Sequence, residues 1–337
     1  YSPATIVIAA PIEINTPQGL WRPRNSTNRF YGPTPLRTGI EMSRNLMTIR
    51  LAQEVGMGVI ADYAEDFGVY DNMGAFLANS LGSEETTLYK MTAAYAMFAN
   101  GGERVLPTLV DRVQDRNGRT IYRHDSRECL DCADANLPRG SAPAIRTNRQ
   151  RVMDEITAYQ ITSMMQGVVD RGTASGAINL PVPIAGKTGT TNDARDVWFV
   201  GFSSNIGAGC YIGYEQPRIL GRRAFGSSMC GPVFQRFMSK AIKKHGGGLF
   251  AVPEGGRFIK IDRFSGARLP EGASGAYVVA EFFRDGEEPL FGYVFDGGFA
   301  MGDDLQLFEE GRYSEDGTGT TDGSQSSFGS LSSGGLY

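Results

Sequence analysis

The stretch "PIAGKTGTTNDARDVWFVGF", residues 183–202, contains Gly-Lys-Thr at 186–188 and raises two structural alternatives. A phosphate-binding P-loop has the pattern G-x-x-x-x-G-K-[ST] and is followed directly by a helix. The position of its first glycine is occupied by Pro181. Turn-forming residues follow Lys187, and a β-branched and aromatic run then extends from Asp196 to Phe202. The sequence therefore argues against a nucleotide site and predicts that Lys187 lies on or beside the first strand of an antiparallel meander.

Helical and strand-forming patterns lie on both sides of this meander along the chain. Gly209 to Tyr214 is a second strand-forming run, and Asn117-Gly118 favours a tight turn within a hairpin from Val110 to His124. Apolar residues recur at helical spacing in four segments: Leu36–Gly56, Leu88–Asn100, Ile156–Val169 and Val233–Lys244. Helices before and after a meander predict an α+β fold, with an antiparallel sheet flanked by helices.

The composition is that of a globular chain with a distinct acidic end. Of 337 residues, 41% are hydrophobic and 21% are charged, and no stretch approaches the roughly 20 apolar residues that span a bilayer. Up to His245 the chain has 27 basic and 22 acidic residues, whereas from Gly246 onward it has 6 basic and 15 acidic ones. This distribution does not resemble the basic stripe of a nucleic-acid-binding protein.

The four cysteines do not form a metal-binding pattern. Cys129 and Cys132 form a lone C-x-x-C in a polar insertion that runs to Thr147, and a zinc site would need a second ligand pair at suitable spacing. Only the scattered Cys210 and Cys230 remain. A local disulfide between Cys129 and Cys132, or two free thiols, is therefore expected rather than a metal. We expect neither a metal nor a cofactor in this chain.

Two short segments carry residues suited to catalysis. The chain has only two histidines, His124 and His245, and neither has a nucleophile-like neighbour in the sequence, which argues against a histidine-based triad. Serine chemistry without histidine needs a lysine, and Lys187 alone among six lysines is embedded between glycines at a strand. Ser43-Arg44-Asn45 interrupts the first helical segment, so two helices are expected to meet at a connector that carries Ser43 and Asn45.

These two triplets match two of the three signatures of penicillin-binding proteins and serine β-lactamases, the K-T-G motif at 187–189 and the S-x-N motif at 43–45. The surrounding segments also follow the order of that family: "GLWRPRN" at 19–25, "LANSLGS" at 77–83, "MTAAYAMFANGG" at 91–102, "GVVDRGTASGA" at 167–177 and "AGKTGTTND" at 185–193. In this order, residues 1–245 resemble the transpeptidase domain of a class A, bifunctional penicillin-binding protein.

The resemblance implies a serine-type peptidoglycan D,D-transpeptidase that is inhibited by β-lactams. In that family a serine attacks a D-Ala-D-Ala stem peptide, releases the last D-alanine and passes the acyl group to an amine on a neighbouring stem. Carried over to this sequence, Ser43 would relay a proton to the leaving amine. Asn45 would hydrogen-bond the amide of the donor peptide.

The K-T-G segment would bind the end of the same peptide. Lys187 and the hydroxyls of Thr188 and Thr190 would hold its terminal carboxylate. Gly189 would let the backbone approach the substrate closely, and the Thr190 amide would be one donor to the oxyanion.

Each of these residues also has a purely structural explanation. Ser43 would cap the helix that begins near Asn45, and Asn45 would stabilise the same junction. Thr188 and Thr190 would be ordinary strand residues, and Lys187 would protect an exposed sheet edge from aggregation.

The third signature of the family, S-x-x-K, is absent from the chain. The positions three residues before the six lysines hold Thr87, Ile184, Phe237, Lys240, Ala241 and Arg257. One explanation is that the sequence is cut before its nucleophile. The parent protein would then be a transpeptidase and carboxypeptidase with an upstream glycosyltransferase domain, and this fragment would be inactive alone. The other is a natural chain that lost its nucleophile and serves as a wall-peptide-binding scaffold.

Three regions are expected: the transpeptidase domain at 1–245, an extension at 246–310 and a Gly/Ser-rich disordered tail at 311–337. In the extension, Gly255–Ile261 and Tyr277–Phe283 are candidate strands. The resemblance implies peptidoglycan stem peptides, β-lactams and proteins of cell-wall synthesis as partners, and no nucleic acid. It also implies a periplasmic location, with anchoring to the inner membrane through a missing N-terminal helix.

Overall fold

A computed structural model of the chain describes residues 1–17, 19–125, 127–133, 142–146 and 149–288, and the backbone of 294–295 and 300–301. The α-helices of this described part are α1 (Leu36–Glu41), α2 (Asn45–Val55), α3 (Met57–Asp66), α4 (Leu88–Ala99), α5 (Glu155–Asp170) and α6 (Gly231–His245). Its strands are β1 (Ile6–Ala9), β2 (Ile14–Thr16), β3 (Gly19–Trp21), β4 (Gly32–Pro35), β5 (Arg112–Gln114), β6 (Thr120–Arg123), β7 (Glu128–Cys129), β8 (Ile145–Arg146), β9 (Ala185–Thr190), β10 (Asp196–Phe202), β11 (Gly207–Gly213), β12 (Gly256–Asp262), β13 (Val278–Arg284), β14 (Val294–Phe295) and β15 (Ala300–Met301). Within these residues, none of the helices combines the length and the apolar character that crossing a membrane requires.

The segment around Lys187 forms the predicted antiparallel meander. Strands β9, β10 and β11 lie side by side in the order β11-β10-β9, and Lys187 of β9 stands opposite Val200 of β10. Val197, Phe199 and Phe202 in β10 are all fully buried. Because the central strand is covered on both faces, it has a continuous apolar sequence instead of an alternating one.

Helices cover both faces of this sheet. On one face, the ring of Phe199 packs against Phe234 of α6, with centroids 4.7 Å apart. Phe202 points to the opposite face because side chains alternate along a strand, and there it packs against Met165 of α5 and Tyr95 of α4. The predicted α+β fold, an antiparallel sheet flanked by helices, is confirmed.

The other local patterns also form the elements expected of them. The first helical segment is divided into α1 and α2 at residues 42–44, and the hairpin β5–β6 turns at Asn117-Gly118, where Gly118 has φ +81°. The insertion from Cys129 to Thr147, predicted as a loop, is not entirely irregular. Cys129 pairs with Ile145 between β7 and β8, while residues 134–141 and 147–148 lie outside the described part.

Both pairs of cysteines form disulfides. Cys129 is bonded to Cys132, which is the first of the two predicted alternatives. Cys210 of β11 is bonded to Cys230, which directly precedes α6, with Cα atoms 5.5 Å apart. The second bond ties the sheet to the helix that covers it, although the two cysteines look scattered in the sequence.

Residues beyond 245 contribute a hairpin that packs against the rest of the molecule. The two candidate strands form β12 and β13, which pair antiparallel, and Ile261 and Phe283 are buried in contact with a cluster that includes Ala4. Gln160 of α5 donates a hydrogen bond to the Phe282 carbonyl at 2.9 Å. The domain boundary at 245 and the extent of the extension to 310 stay predictions, and the predicted tail at 311–337 lies outside the described residues.

The Phe199–Phe234 contact is expected to be a main source of stability for the sheet. Phe199→Ala should lower the free energy of unfolding by about 3–5 kcal/mol, because it removes a fully buried ring and leaves a cavity between β10 and α6. Urea unfolding followed by circular dichroism measures this loss. The matched control is Phe237→Ala on α6, since Phe237 is 55% exposed and should lose less than about 1 kcal/mol. Equal losses in the two variants would contradict the assignment of the core.

Candidate active site

The connector between α1 and α2 holds Ser43 in an unusual backbone conformation. Ser43 has φ +53°, in the left-handed region that residues other than glycine rarely adopt. Its amide donates to the Ile40 carbonyl at 3.2 Å, and the Arg44 amide donates to the Gly39 carbonyl at 2.9 Å. Backbone strain of this kind is concentrated at functional sites and is maintained by the surrounding structure.

Lys187 joins this connector to the sheet. Its Nζ donates a hydrogen bond to Ser43 Oγ at 2.8 Å and another to the Thr188 carbonyl at 2.9 Å. Desolvation by burial lowers the pKa of Lys187 to about 8, against an ordinary value of 10.5. At pH 7 roughly one Lys187 in ten is therefore neutral. The S-x-N and K-T-G triplets, far apart in sequence, meet at this ammonium group.

Thr173 is a member of this cluster to which the sequence analysis gave no role. Its Oγ1 lies 2.7 Å from Thr188 Oγ1, so the two hydroxyls are hydrogen-bonded. Its backbone amide donates to the Glu41 carbonyl at 3.0 Å, which fixes the segment that follows α5 beside the end of α1. The only sequence signal for Thr173 was its place within "GVVDRGTASGA".

The far end of the K-T-G strand is closed by two further contacts. Gly189 lies opposite Trp198, and a Cβ atom on Gly189 would stand 3.1 Å from Trp198 Cβ. A side chain at position 189 would therefore crowd Trp198, so glycine eases the packing of the sheet in addition to allowing the substrate approach that the family resemblance implies. Thr190 Oγ1 accepts a hydrogen bond from the Gly226 amide at 3.2 Å, so its own hydroxyl proton can be directed to another acceptor.

Asn45 begins α2, but neither Asn45 nor Ser43 caps this helix. The residue at the N-cap position is Arg44, and its side chain makes no capping hydrogen bond. Instead Asn25, which is only 3% exposed, accepts a hydrogen bond from the Leu46 amide at 3.2 Å. The alternative explanation of Ser43 as a helix cap is therefore wrong, because Asn25 performs that task. The Asn45 side chain donates to the Arg24 carbonyl at 3.0 Å.

Arg44 anchors the loop that precedes this connector. Its guanidinium carbon lies 3.1 Å from the centroid of the Tyr31 ring, which is a cation–π contact. Burial lowers the pKa of Arg44, and Tyr31 opposes that shift. Tyr31 in turn shares a 2.8 Å hydrogen bond with the hydroxyl of Thr27. The loop is thereby held against the residue between Ser43 and Asn45.

The arrangement has two chemical capacities. A lysine whose pKa is lowered and whose Nζ contacts a serine hydroxyl can pass a proton through that hydroxyl. In its charged form, the same lysine and the neighbouring threonine hydroxyls can bind a carboxylate. Three of the six predicted site residues, Ser43, Lys187 and Thr188, are joined by direct hydrogen bonds. Gly189 and Thr190 lie on the same strand as Lys187. Asn45 donates its hydrogen bond to Arg24 instead. Within the described residues, no cluster of histidine, cysteine or acidic side chains could hold a metal ion.

Comparisons with known proteins identify the family to which the chain is similar. The family described as penicillin binding protein transpeptidase domain matches residues 2–239. The chain is 46% identical over 275 residues to penicillin-binding protein 1A of Rickettsia bellii. The matched region covers 80% of this chain and 35% of that protein. It is 33% identical over 301 residues to penicillin-binding protein 1A of Pseudomonas aeruginosa, covering 80% of this chain and 36% of that protein.

A solved structure of a penicillin-binding protein 1A is also similar to this chain. The crystal structure of penicillin-binding protein 1A from Haemophilus influenzae superposes with a TM-score of 0.70 at 27% identity, covering 87% of this chain and 46% of that one. The chain spans about a third of the length of the curated relatives it matches.

Lys187 is predicted to lose its proton at about pH 8 in the folded protein. Labelling the lysines with ¹³C at Cε should resolve the titration by NMR, because the chain has only six of them. Since the folded pKa is lower than that of the unfolded chain, unfolding takes up a proton between about pH 8 and 10.5. The contribution of Lys187 to the free energy of unfolding should therefore rise with pH across that window.

Lys187→Met serves as the control for both measurements. The signal that it removes identifies Lys187, and the rise in stability should be smaller in this variant than in the wild type. A Lys187 signal that titrates near the ordinary value of 10.5 would show that its ammonium is not desolvated.

Proposed function

The chain belongs to the penicillin-binding protein transpeptidase domain family, and on that basis we propose that it provides most of a peptidoglycan transpeptidase domain in a class A penicillin-binding protein. The observation that carries the proposal is the hydrogen bond from Lys187 Nζ to Ser43 Oγ. It brings the S-x-N and K-T-G triplets together in the way a shared substrate cleft requires. The proposed reaction cross-links stem peptides through an acyl-serine intermediate, which is also the species that β-lactams would trap.

Ser43 and Asn45 have roles on one side of the proposed cleft. Ser43 relays a proton between Lys187 and the leaving amine, because its hydroxyl accepts a hydrogen bond from Lys187 and can donate its own proton onward. Asn45, two residues further along the same connector, binds the amide of the donor peptide with its side-chain amide. The left-handed conformation of Ser43 supports this assignment, since strain at a connector needs a reason to persist.

The K-T-G strand has the complementary role. Lys187, Thr188 and Thr190 bind the terminal carboxylate of the stem peptide through one ammonium and two hydroxyl groups. The amide of Thr190 is one donor to the oxyanion that forms during acyl transfer. Thr173 positions the Thr188 hydroxyl through their 2.7 Å hydrogen bond.

The nucleophile of this reaction comes from outside residues 1–337. No S-x-x-K motif occurs in the sequence, and without it the chain contains the substrate-binding wall but not the attacking serine. The same parent protein would carry the glycosyltransferase of a class A enzyme and reside in the periplasm, anchored to the inner membrane. The alternative is a nucleophile-free protein that binds wall peptides as a scaffold, and the same missing motif is the observation that favours it.

Labelling with a fluorescent penicillin separates these two functions. The full-length parent protein should be labelled covalently, and peptide mapping should place the adduct outside residues 1–337, whereas the chain by itself should remain unlabelled. A parent protein that folds and binds wall peptides without being labelled would support the scaffold instead. An adduct on any residue of this chain would contradict the assignment of an external nucleophile.

Ser43→Gly is predicted to separate activity from stability. Glycine adopts φ +53° without strain, so the free energy of unfolding should stay within about 1 kcal/mol of the wild type. Loss of the hydroxyl removes the proton relay, and the rate of penicillin acylation in the full-length protein should fall by about 10²-fold or more. Ser80→Ala is the matched control, because Ser80 bonds only to the Leu77 carbonyl of its own turn in the described structure. Acylation at the wild-type rate in Ser43→Gly would remove Ser43 from the proposed mechanism.

A further inference from the structure

Four charged side chains form an ion-pair network that is joined to the candidate active site through Glu41. Arg37 and Glu41 belong to α1, Arg171 directly follows α5, and Glu281 lies on β13 of the C-terminal hairpin. The side chains of Arg37, Glu41 and Glu281 are 0% exposed. Arg37 Nε donates to Glu281 Oε2, and Arg37 Nη1 donates to Glu41 Oε1 at 3.2 Å. Arg171 Nε and Nη2 donate to the same oxygen of Glu41 at 3.0 and 2.7 Å.

The two arginines face Glu41 and Glu281, and Arg171 also reaches the partly exposed Asp170 at 4.0 Å. Burial alone would lower the pKa of Arg37, but the carboxylates of Glu281 and Glu41 more than reverse this effect, and its pKa is raised. A buried ion pair gains little over a well-packed apolar pair, whereas removal of one partner leaves an uncompensated charge in the interior. Stability alone therefore gives a weak reason for burying Arg37, Glu41 and Glu281.

Glu41 connects the network to both sides of the cleft. It stands two residues before Ser43, so its position fixes the start of the connector. Its backbone carbonyl accepts the Thr173 amide at 3.0 Å, and Thr173 holds the hydroxyl of Thr188 at 2.7 Å. Its carboxylate accepts two hydrogen bonds from Arg171, two residues before Thr173.

The segment after α5 is shaped to receive Glu41. A Cβ atom at Gly167 would collide with the Glu41 carboxylate, and one at Gly172 would collide with the Glu41 carbonyl. Glycine at these two positions lets α5 and its C-terminal loop approach Glu41 closely. The close fit means that a displacement of Glu41 would be transmitted directly to the segment carrying Thr173.

The C-terminal hairpin also contacts α1 directly. Glu281 reaches Arg37, and the Thr38 hydroxyl donates to the carbonyl of Arg263 in the loop between β12 and β13. Neither Glu281 nor Arg263 lies within residues 2–239, the part of the chain that matches the transpeptidase family. These two contacts with α1 thus come from a region that the family match does not include.

We propose that Glu281 of the C-terminal hairpin is a positioning residue for the active site, acting through Arg37 and Glu41 on Ser43, Thr173 and Thr188. As a statement about catalysis, this inference rests on the proposed function. As a statement about the geometry around Lys187, it can be tested whether or not the protein is a transpeptidase.

Glu281→Gln in the full-length protein is the first test. It keeps the shape of the side chain but removes its charge. Arg37 then has Glu41 as its only charged partner, and we expect both side chains to shift. The pKa of Lys187 should rise toward 10.5, because the displaced residues would let water reach its ammonium group. Penicillin acylation should slow about tenfold or more. The control is Arg284→Gln on the same strand as Glu281. It breaks the partly exposed ion pair between Arg284 and Asp154, which precedes α5, and should change neither readout.

The double variant Arg37→Met with Glu281→Leu distinguishes positioning from simple charge balance. It removes one cation and one anion and leaves Glu41 paired with Arg171, so the free energy of unfolding should return close to the wild type. On our proposal, the Lys187 titration and the acylation rate remain altered. Recovery of both readouts in the double variant would overturn the proposal, because charge compensation would then be the whole role of Glu281.

Two other outcomes are also decisive. A folded Glu281→Gln variant with the wild-type titration of Lys187 and the wild-type acylation rate would overturn the proposal. If Glu281→Gln fails to fold, the double variant alone decides it by the same two readouts. Measuring the pKa of Lys187 does not require a nucleophile. Suppose that penicillin never labels the full-length protein, but that Glu281→Gln still shifts the pKa of Lys187. The positioning role of Glu281 would then be supported, and the proposed function would be contradicted.

Discussion

The candidate active site depends on one contact, the hydrogen bond between the Lys187 ammonium and the Ser43 hydroxyl. It joins a strand of the central sheet to the connector between α1 and α2. Placing an ammonium there is unfavourable, as the lowered pKa of Lys187 shows. The burial of β10 on both faces provides the stability that tolerates this cost, because its apolar core fixes β9 beside it.

Much of this site could be predicted from the sequence because its parts are local patterns. The turn-forming residues after Lys187 and the apolar run that follows indicate a meander, and the break at Ser43 indicates two helices. Periodicity and turn chemistry depend on neighbouring residues, so they can be recognised without knowledge of the fold. The order of the family-like segments then connected Ser43 with Lys187 across 144 positions, which no local pattern could have done.

The features that the sequence did not predict are contacts between distant residues without a recurring pattern. Arg37 and Glu281 are 244 positions apart, and nothing distinguishes them in the sequence from the other charged residues of a chain that is 21% charged. Cys210 and Cys230 looked scattered because strand β11 and helix α6 must pack before their sulfur atoms can meet. The capping of α2 by Asn25 from a separate loop is a contact of the same kind, which is why Ser43 was the more obvious candidate.

The pKa of Lys187 allows the two capacities of the site to coexist. A lysine at its ordinary value of 10.5 would hold a carboxylate well but would almost never be neutral near pH 7, so it could not accept a proton through Ser43. A lysine with a pKa far below 7 would be mostly neutral near pH 7, so it could accept a proton but would hold a carboxylate poorly. At about 8 the charged form predominates while a useful neutral fraction remains. A carboxylate bound beside Lys187 would raise its pKa again, because an opposite charge favours the ammonium form. The arrival of a carboxylate ligand would thus increase the charged fraction of Lys187, and this ammonium is the form that can give a proton through Ser43. The hydrogen bond to Ser43 would still be donated by the ammonium, and the serine hydroxyl could direct its own proton toward the ligand.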